Sequence, residues 1–199
     1  MKTTLNKIRE HRPCTSGWET LLSYLGKTKA DDEPLSLVTL IDSNGPEDAL
    51  WCLRAVEGKD REIRLFAVWC ARQVQHLLKD QRSIDALDVA ERYAKGQATE
   101  DELNAAWNAA LAAAWDARSA ASAMWAAWAA AYAARAAADA AWVARAAADA
   151  AEGEAAAAAY YATLADAEAD EWEAAWAAEA EMKKKQEAEL RRICEEIEG

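Results

Sequence analysis

The chain lacks the short motifs that mark common enzyme and nucleotide-binding sites. It contains no P-loop, no G-x-G-x-x-G, no G-x-S-x-G and no H-E-x-x-H. Its two histidines, His11 and His76, leave few groups for acid–base or metal chemistry. We therefore expect a protein that is not an enzyme, holds no metal and uses no cofactor.

Paired cysteine motifs are also missing. The four cysteines, Cys14, Cys52, Cys70 and Cys194, are scattered, and none belongs to a C-x-x-C pair. This pattern is typical of free thiols in a cytoplasmic protein, and it predicts that Cys52 and Cys70 are buried as small apolar residues. His11 and Cys14 have the spacing of half a metal site, but no second half accompanies them.

Long apolar runs are absent as well. No stretch of about 18 residues carries large apolar side chains throughout, which argues against a membrane span. The N-terminal sequence MKTTLNKIREHRPC has no apolar core of the kind found in signal peptides, so we expect no secretion.

Alanine dominates residues 104–181, and this tract also carries seven of the ten tryptophans. Alanine is the best helix former, whereas tryptophan normally fills a core or contacts a partner. Large side chains recur there every three or four residues, which predicts helices over about 99–152 and 154–197 with a break at Gly153. The first helix either bends at Ser119 and Ser122 or continues straight to Gly153. The helical line predicted for the second helix ends with Glu179, Met182, Gln186, Leu190, Ile193 and Ile197. Folded back at Gly153, the two helices would form an antiparallel pair or bundle whose bare alanines allow close approach.

Helix-starting and helix-ending residues divide the first half of the chain into short helices. Ser16 and Glu19 form a predicted capping box for a helix that Gly26 ends. Pro46 is predicted at the first position of another helix. The apolar run 35–41 fits a strand or a helix, and we favour a helix capped by Ser36 because no partner strand is visible.

Three further helix starts follow. Asp60 and Ser83 are predicted caps, and Thr99 with Glu102 forms a second capping box. The predicted fold is therefore all-α, with a helical head over residues 1–98 and long acidic helices over 99–199, either separate from the head or continuous with it.

Charge is unevenly distributed between these halves. Residues 1–98 carry 15 basic and 15 acidic side chains, whereas residues 99–199 carry 8 basic and 20 acidic ones, so the second half supplies the whole net charge of −12. No lysine or arginine lies within residues 146–182. Such a surface repels nucleic acid and attracts basic proteins, so we expect a basic protein partner, no nucleic acid and no membrane.

The strongest candidate binding surface lies at residues 166–179, where two tryptophans stand among six acidic residues with no base between them. An acidic helix with tryptophan contacts has the composition of a surface that docks on a basic protein. The alternative, a solvated acidic face whose tryptophans point inward, carries equal weight. The candidate partner-binding residues are Asp166, Glu168, Asp170, Glu171, Trp172, Glu173, Trp176 and Glu179.

Several segments resemble the immunity proteins of bacterial polymorphic toxin systems, a family also found in phages. They are GKTKADDEPLSLVTLIDSNGP (26–46), DALWCLRAV (48–56), IRLFAVWCAR (63–72) and AERYAKGQATEDEL (90–103), followed by the alanine- and tryptophan-rich tract. The resemblance implies an all-α protein that binds and neutralises a partner, often a nuclease toxin encoded nearby. It assigns no functional residues.

These observations favour a cytoplasmic inhibitor of the immunity type that neutralises a basic partner such as a nuclease toxin. One alternative is a phage-encoded anti-defence inhibitor that imitates nucleic-acid charge against a nuclease or CRISPR complex. A second is a structural module in which the long helices pair between chains as a homo-oligomer. The most distant is a small metalloenzyme that would use Asp31, Asp32 and Glu33.

Overall fold

A computed structural model describes residues 1–116 and 172–198, with the side chains of residues 115, 172–176 and 198 left out of the description. Helix dominates this part of the chain, which confirms the predicted all-α class. This part of the chain also contains two 3₁₀ turns, Leu53–Ala55 and Gln75–Leu77. The described helices are α1 (Leu5–Glu10), α2 (Thr15–Leu25), α3 (Leu37–Asn44), α4 (Pro46–Cys52), α5 (Asp60–Gln73), α6 (Gln81–Ala94), α7 (Glu100–Asp116) and α8 (Trp172–Glu198).

A two-stranded antiparallel sheet joins the N-terminus to the start of α3. Strand β1 (Lys2–Thr3) pairs with β2 (Leu35–Ser36). The expectation that Leu35 has no partner strand was therefore wrong, because a two-residue strand is too short to show any alternation in sequence. The predicted helix is nevertheless present, since the Ser36 hydroxyl accepts a hydrogen bond from the Val38 amide at 3.1 Å and caps α3.

The ends of α2 show one correct and one wrong prediction. Gly26 ends the helix in the left-handed region, with φ of 63°, as glycine at this position predicts. The helix begins at Thr15, however, and its cap is Cys14, whose Sγ accepts from the Gly17 amide at 3.4 Å. The predicted capping box at Ser16 and Glu19 was therefore wrong, because Ser16 already lies inside the helix.

Two other predicted caps lie inside their helices. Asp60 is the first residue of α5, and the cap position before it is Lys59. Ser83 is fully buried within α6, which is capped instead by the Asp80 carboxylate accepting from the Arg82 amide at 2.9 Å. Asp60 misled the prediction because an acidic residue is favourable in the first turn as well as at the cap. Ser83 misled it because Asp80, another preferred cap residue, stands three positions earlier.

The capping box at the start of α7 is confirmed. The Glu102 amide donates to the Thr99 hydroxyl at 3.2 Å, and the Thr99 amide donates to Glu102 Oε2 at 2.8 Å. These two reciprocal bonds satisfy amide groups that a helix start otherwise leaves without partners. Pro46 at the first position of α4 is confirmed as well.

Among the described residues, the larger of two apolar clusters fills the head and includes part of α8. Phe66, Leu40 and Leu53 lie at its centre with no more than 1% of their surface exposed. Leu190 and Cys194 of α8 belong to the same cluster. Residues from the predicted acidic half therefore complete the core of the predicted head.

The second cluster lies on another side of α5. It joins Val74 at the end of that helix to Leu87 of α6, Leu103 of α7 and Met182 of α8. Helices α5 and α8 thus contribute to both clusters, and α8 contacts α3 and α5.

Alanines of α6 and α7 are buried together where these two helices are in contact. Ala110 and Ala114 of α7 and Ala90 of α6 are all fully buried in the second cluster. Trp107 is only partly buried and packs at the edge. Small side chains let the two backbones approach, so the alanines of α7 serve the core. The predicted antiparallel pairing around Gly153 and the alternatives at Ser119 and Ser122 lie outside the described residues.

Candidate functional site

The predicted docking surface falls on the beginning of α8 and on the segment before it. Asp166, Glu168, Asp170 and Glu171 lie outside the described residues. Trp172, Glu173 and Trp176 lie in the first two turns of α8, where the backbone alone is described. Glu179 has a described side chain, 35% exposed, with Oε1 3.3 Å from Lys183 Nζ.

Beyond Glu179 the helix is held firmly by the head. Met182, Gln186 and Leu190 follow at spacings of three and four residues and are 8%, 4% and 1% exposed. Between Met182 and Leu190 the helical line predicted for this stretch is therefore a buried face. The described part of the acidic segment, from Trp172 to Glu179, belongs to a helix whose later turns are fixed in both apolar clusters.

Lysines end the acidic stretch abruptly. Lys183 pairs with Glu179, while Lys184 and Lys185 are exposed on α8. Three consecutive ammonium groups weaken the negative potential beyond this point within about a Debye length, roughly 8–10 Å at moderate salt. The acidic stretch therefore has a defined C-terminal limit before Lys183.

The acidic loop at residues 31–33 is organised around a lysine. Lys27 Nζ lies 2.6 Å from Asp31 Oδ2 and 2.6 Å from Glu33 Oε2. The hydrogen bond from Lys27 lowers the pKa of Asp31, and the same bond raises the pKa of Lys27. The lysine ammonium group occupies the position between the two carboxylates that a metal ion would need. Across residues 1–116 and 172–198, no group of three His, Cys, Asp or Glu side chains is placed to hold a metal ion.

The cysteines behave as small apolar residues where they are buried. Cys52 and Cys70 are both buried, as predicted, and Cys194 joins them in the first cluster. Burial raises the pKa of the Cys52 thiol to about 12 and raises that of Cys70 well above its ordinary value. Since the thiolate is the reactive form, neither thiol is suited to nucleophilic chemistry at neutral pH.

A small apolar pocket of about 150 Å³ lies between α2, α3 and α4. Trp18 and Trp51 line it, and Asn44 stands at its polar side, donating to the Gly17 carbonyl and to Asp48 Oδ2 at 2.8 Å each. A Cβ at position 17 would lie 2.8 Å from the same Asp48 oxygen, so a larger residue there would displace the Asp48 side chain. The pocket could not be predicted from the sequence because the residues that line it come from separate helices.

A larger groove of about 470 Å³ lies between α5 and the C-terminal part of α8. Its apolar residues include Trp69 and Ile193, and charged side chains stand along both edges. This groove could not be predicted from the sequence because the two helices that form it are far apart in the chain. A signal was present, since Ile193 and Ile197 lay on the predicted helical line of α8.

None of the helices in the described part of the chain has the length and apolar character required to cross a membrane. Comparison of the chain with models of known protein families, with curated proteins and with solved structures finds no match.

Proposed function

We propose that this protein is a cytoplasmic inhibitor of the immunity type, which binds and neutralises a basic protein such as a nuclease toxin. The observation that carries the proposal is the stretch of residues 146–182, which contains acidic residues and tryptophans but no lysine or arginine. The resemblance to immunity proteins of toxin systems supports the same role. The proposed contact surface is the segment 166–179.

The fold supports this proposal because α8 is attached to the head. Helix α8 begins at Trp172, and its later turns are buried in both apolar clusters of the head. A segment carried by such a helix loses less conformational freedom on binding than a free tail would. Attachment to the head therefore favours affinity without requiring additional contacts.

Charge and aromatic residues would have different roles in this complex. Acidic side chains facing a basic partner mainly raise the association rate and make binding sensitive to salt. Tryptophans supply much of the free energy of binding where they enter pockets of the partner. A nuclease offers the required basic surface because it must bind a polyanion.

The test uses two variants that change net charge equally. In the first, Glu168, Glu171, Glu173 and Glu179 are replaced by lysine. In the second, four acidic residues that are exposed and lie elsewhere are replaced by lysine; these are Glu10, Glu19, Asp85 and Glu195. Wild-type protein and both variants are used to capture partners from a lysate of the native host, and captured proteins are identified by mass spectrometry.

The proposal predicts that wild type and the control variant capture the same basic protein, and that the site variant binds it at least about tenfold more weakly. Equal binding by both variants would remove the segment 166–179 from the interface. Capture of a host CRISPR or restriction complex would instead support the anti-defence alternative. Recovery of this chain alone as its own partner would support the structural module.

A further inference from the structure

The groove between α5 and α8 has an apolar floor that the head leaves open. Leu65 and Trp69 of α5 form one side, and Ile193 and Ile197 of α8 form the other. All four side chains are only partly buried. Trp69 is stacked on Phe66, with ring centroids 6.4 Å apart, and this contact with a fully buried ring fixes the position of Trp69.

Carboxylates outnumber basic groups along the edges of this groove. On the α5 side, Arg72 Nη2 is held by Asp88 at 2.7 Å and Glu91 at 2.9 Å. On the α8 side, Arg192 is held by Glu189 and Glu196 at 2.6 Å each.

Each arginine is therefore neutralised within the chain, and Lys95 also pairs with Glu91. Glu62 lines the groove as well, and the described part of the chain gives it no ion-pair partner. Five carboxylates against two guanidinium groups and one ammonium group give the edges a net charge of −2.

We propose that this groove binds an amphipathic α-helix of a partner protein, with its apolar face on the floor and lysines or arginines along the edges. Two packed helices that diverge at their surfaces present a channel into which the ridge of a third helix fits. The negative edges select a basic helix and oppose an acidic one, since like charges brought together raise the free energy of the complex. The inference rests on the groove and does not require the segment 166–179 to bind anything.

The apolar floor and the charged edges of the groove have different effects on binding. Burial of the partner's apolar face on Leu65, Trp69 and Ile193 supplies affinity, because apolar surface leaves water on both sides. The carboxylates stay solvated at the edges, where they set the preferred charge and the salt dependence. Binding is therefore expected to weaken in high salt without disappearing.

The test uses three labelled synthetic peptides as probes, and binding is followed by fluorescence anisotropy. The first has leucines on one helical face and lysines on the other. The second has glutamates in place of the lysines. The third has the composition of the first in an order that gives no apolar face.

Two double variants accompany the wild-type protein. Glu62→Lys with Glu196→Lys reverses charge on both edges of the groove. Glu10→Lys with Glu195→Lys makes the same change in net charge at exposed positions outside it. Circular dichroism and thermal melts of each variant establish that the fold is retained.

We expect the basic amphipathic peptide to bind wild type and the control variant alike, and to bind the groove variant about tenfold more weakly. The other two peptides should bind wild type much less well. Equal loss in both variants would show general charge attraction and overturn the proposal, as would equal binding of the acidic or the reordered peptide. Ile193→Ser supplies a second check, since it should weaken peptide binding while changing no charge.

Discussion

Arg191 in α8 donates a hydrogen bond from Nη1 to Oδ1 of Asp42 in α3 across 2.7 Å, while the adjacent Leu190 is buried with 1% of its surface exposed. Arg191 and Leu190 therefore attach α8 to the head by different interactions, an ion pair and apolar burial. Arg191 and Asp42 are 30% and 45% exposed, so water screens their attraction. Apolar burial should therefore dominate the attachment of α8.

Substitution at these adjacent positions separates the two contributions. Leu190→Ala removes a buried side chain and should lower the free energy of unfolding by about 2–4 kcal/mol. Arg191→Met breaks the ion pair with Asp42 and a second one with Glu187 inside α8, keeps the approximate length of the side chain, and should cost about 1 kcal/mol or less. Urea denaturation of both variants measures the difference. A larger loss from Arg191→Met would show that ion pairing dominates.

The alanine contact between α6 and α7 should not tolerate larger side chains. Ala110 is fully buried there, so Ala110→Leu forces the helices apart and should destabilise the protein by about 1–3 kcal/mol. Ala112→Leu makes the same chemical change at an exposed position of α7 and should be nearly neutral. Thermal melts of the two variants provide the comparison. Equal effects would mean that α7 is not packed through its alanines.

The capping box of α7 gives a prediction about helix initiation. Thr99→Ala removes the hydroxyl that accepts from the Glu102 amide and should cost about 1 kcal/mol. Thr20→Ala, in the exposed interior of α2, is the matched control and should be neutral or slightly stabilising because alanine favours helix. Chemical denaturation measures both. If both variants have the same stability, the bond to Thr99 contributes nothing.

The protein should lose stability in acid through hydrogen-bonded carboxylates. Four of them have a lowered pKa because of a donor that favours the charged form: Asp31 through Lys27, Asp80 through Arg82, Glu91 through Lys95 and Glu102 through the Thr99 amide. A lowered pKa means that the unfolded chain binds protons first. The contribution is therefore complete above the ordinary values of 3.8 for Asp and 4.5 for Glu, and is lost as pH falls through the lower folded values.

Glu102→Gln tests this dependence at one site. Glutamine can still accept from the Thr99 amide, so the helix start is kept while the titrating group is removed. The variant should show a smaller fall in melting temperature than wild type between neutral pH and about pH 3. Parallel curves for the two proteins would exclude Glu102 as a contributor.

Local features of this fold could be predicted from sequence where one residue type determines the backbone. Gly26 and Pro46 mark a helix end and a helix start because each has a distinct backbone preference. Thr99 and Glu102 identify their capping box because both partners are close in sequence. Ser16 misled the prediction because the cap is Cys14, whose Sγ accepts from the Gly17 amide although cysteine is not among the residues preferred at caps.

Long-range packing was harder to predict. The sequence showed that Met182, Gln186 and Leu190 share a helical line, but not that the line faces the head. The groove beside Trp69 and Ile193 depends on that placement, so it could not be found beforehand. The alanines were predicted to allow close approach between two long helices, but the sequence did not show that Ala110 and Ala114 would be buried in the cluster with α6.

The position of Leu190 and Cys194 in the core of the head has a consequence for synthesis of the protein. A ribosome completes α1 to α7 well before it adds these two residues. Until they emerge, the nascent head has an apolar surface where α8 later packs, and that surface is open to chaperones, proteases and other unfinished chains. Folding of the first half is thus completed late, when the last helix becomes available.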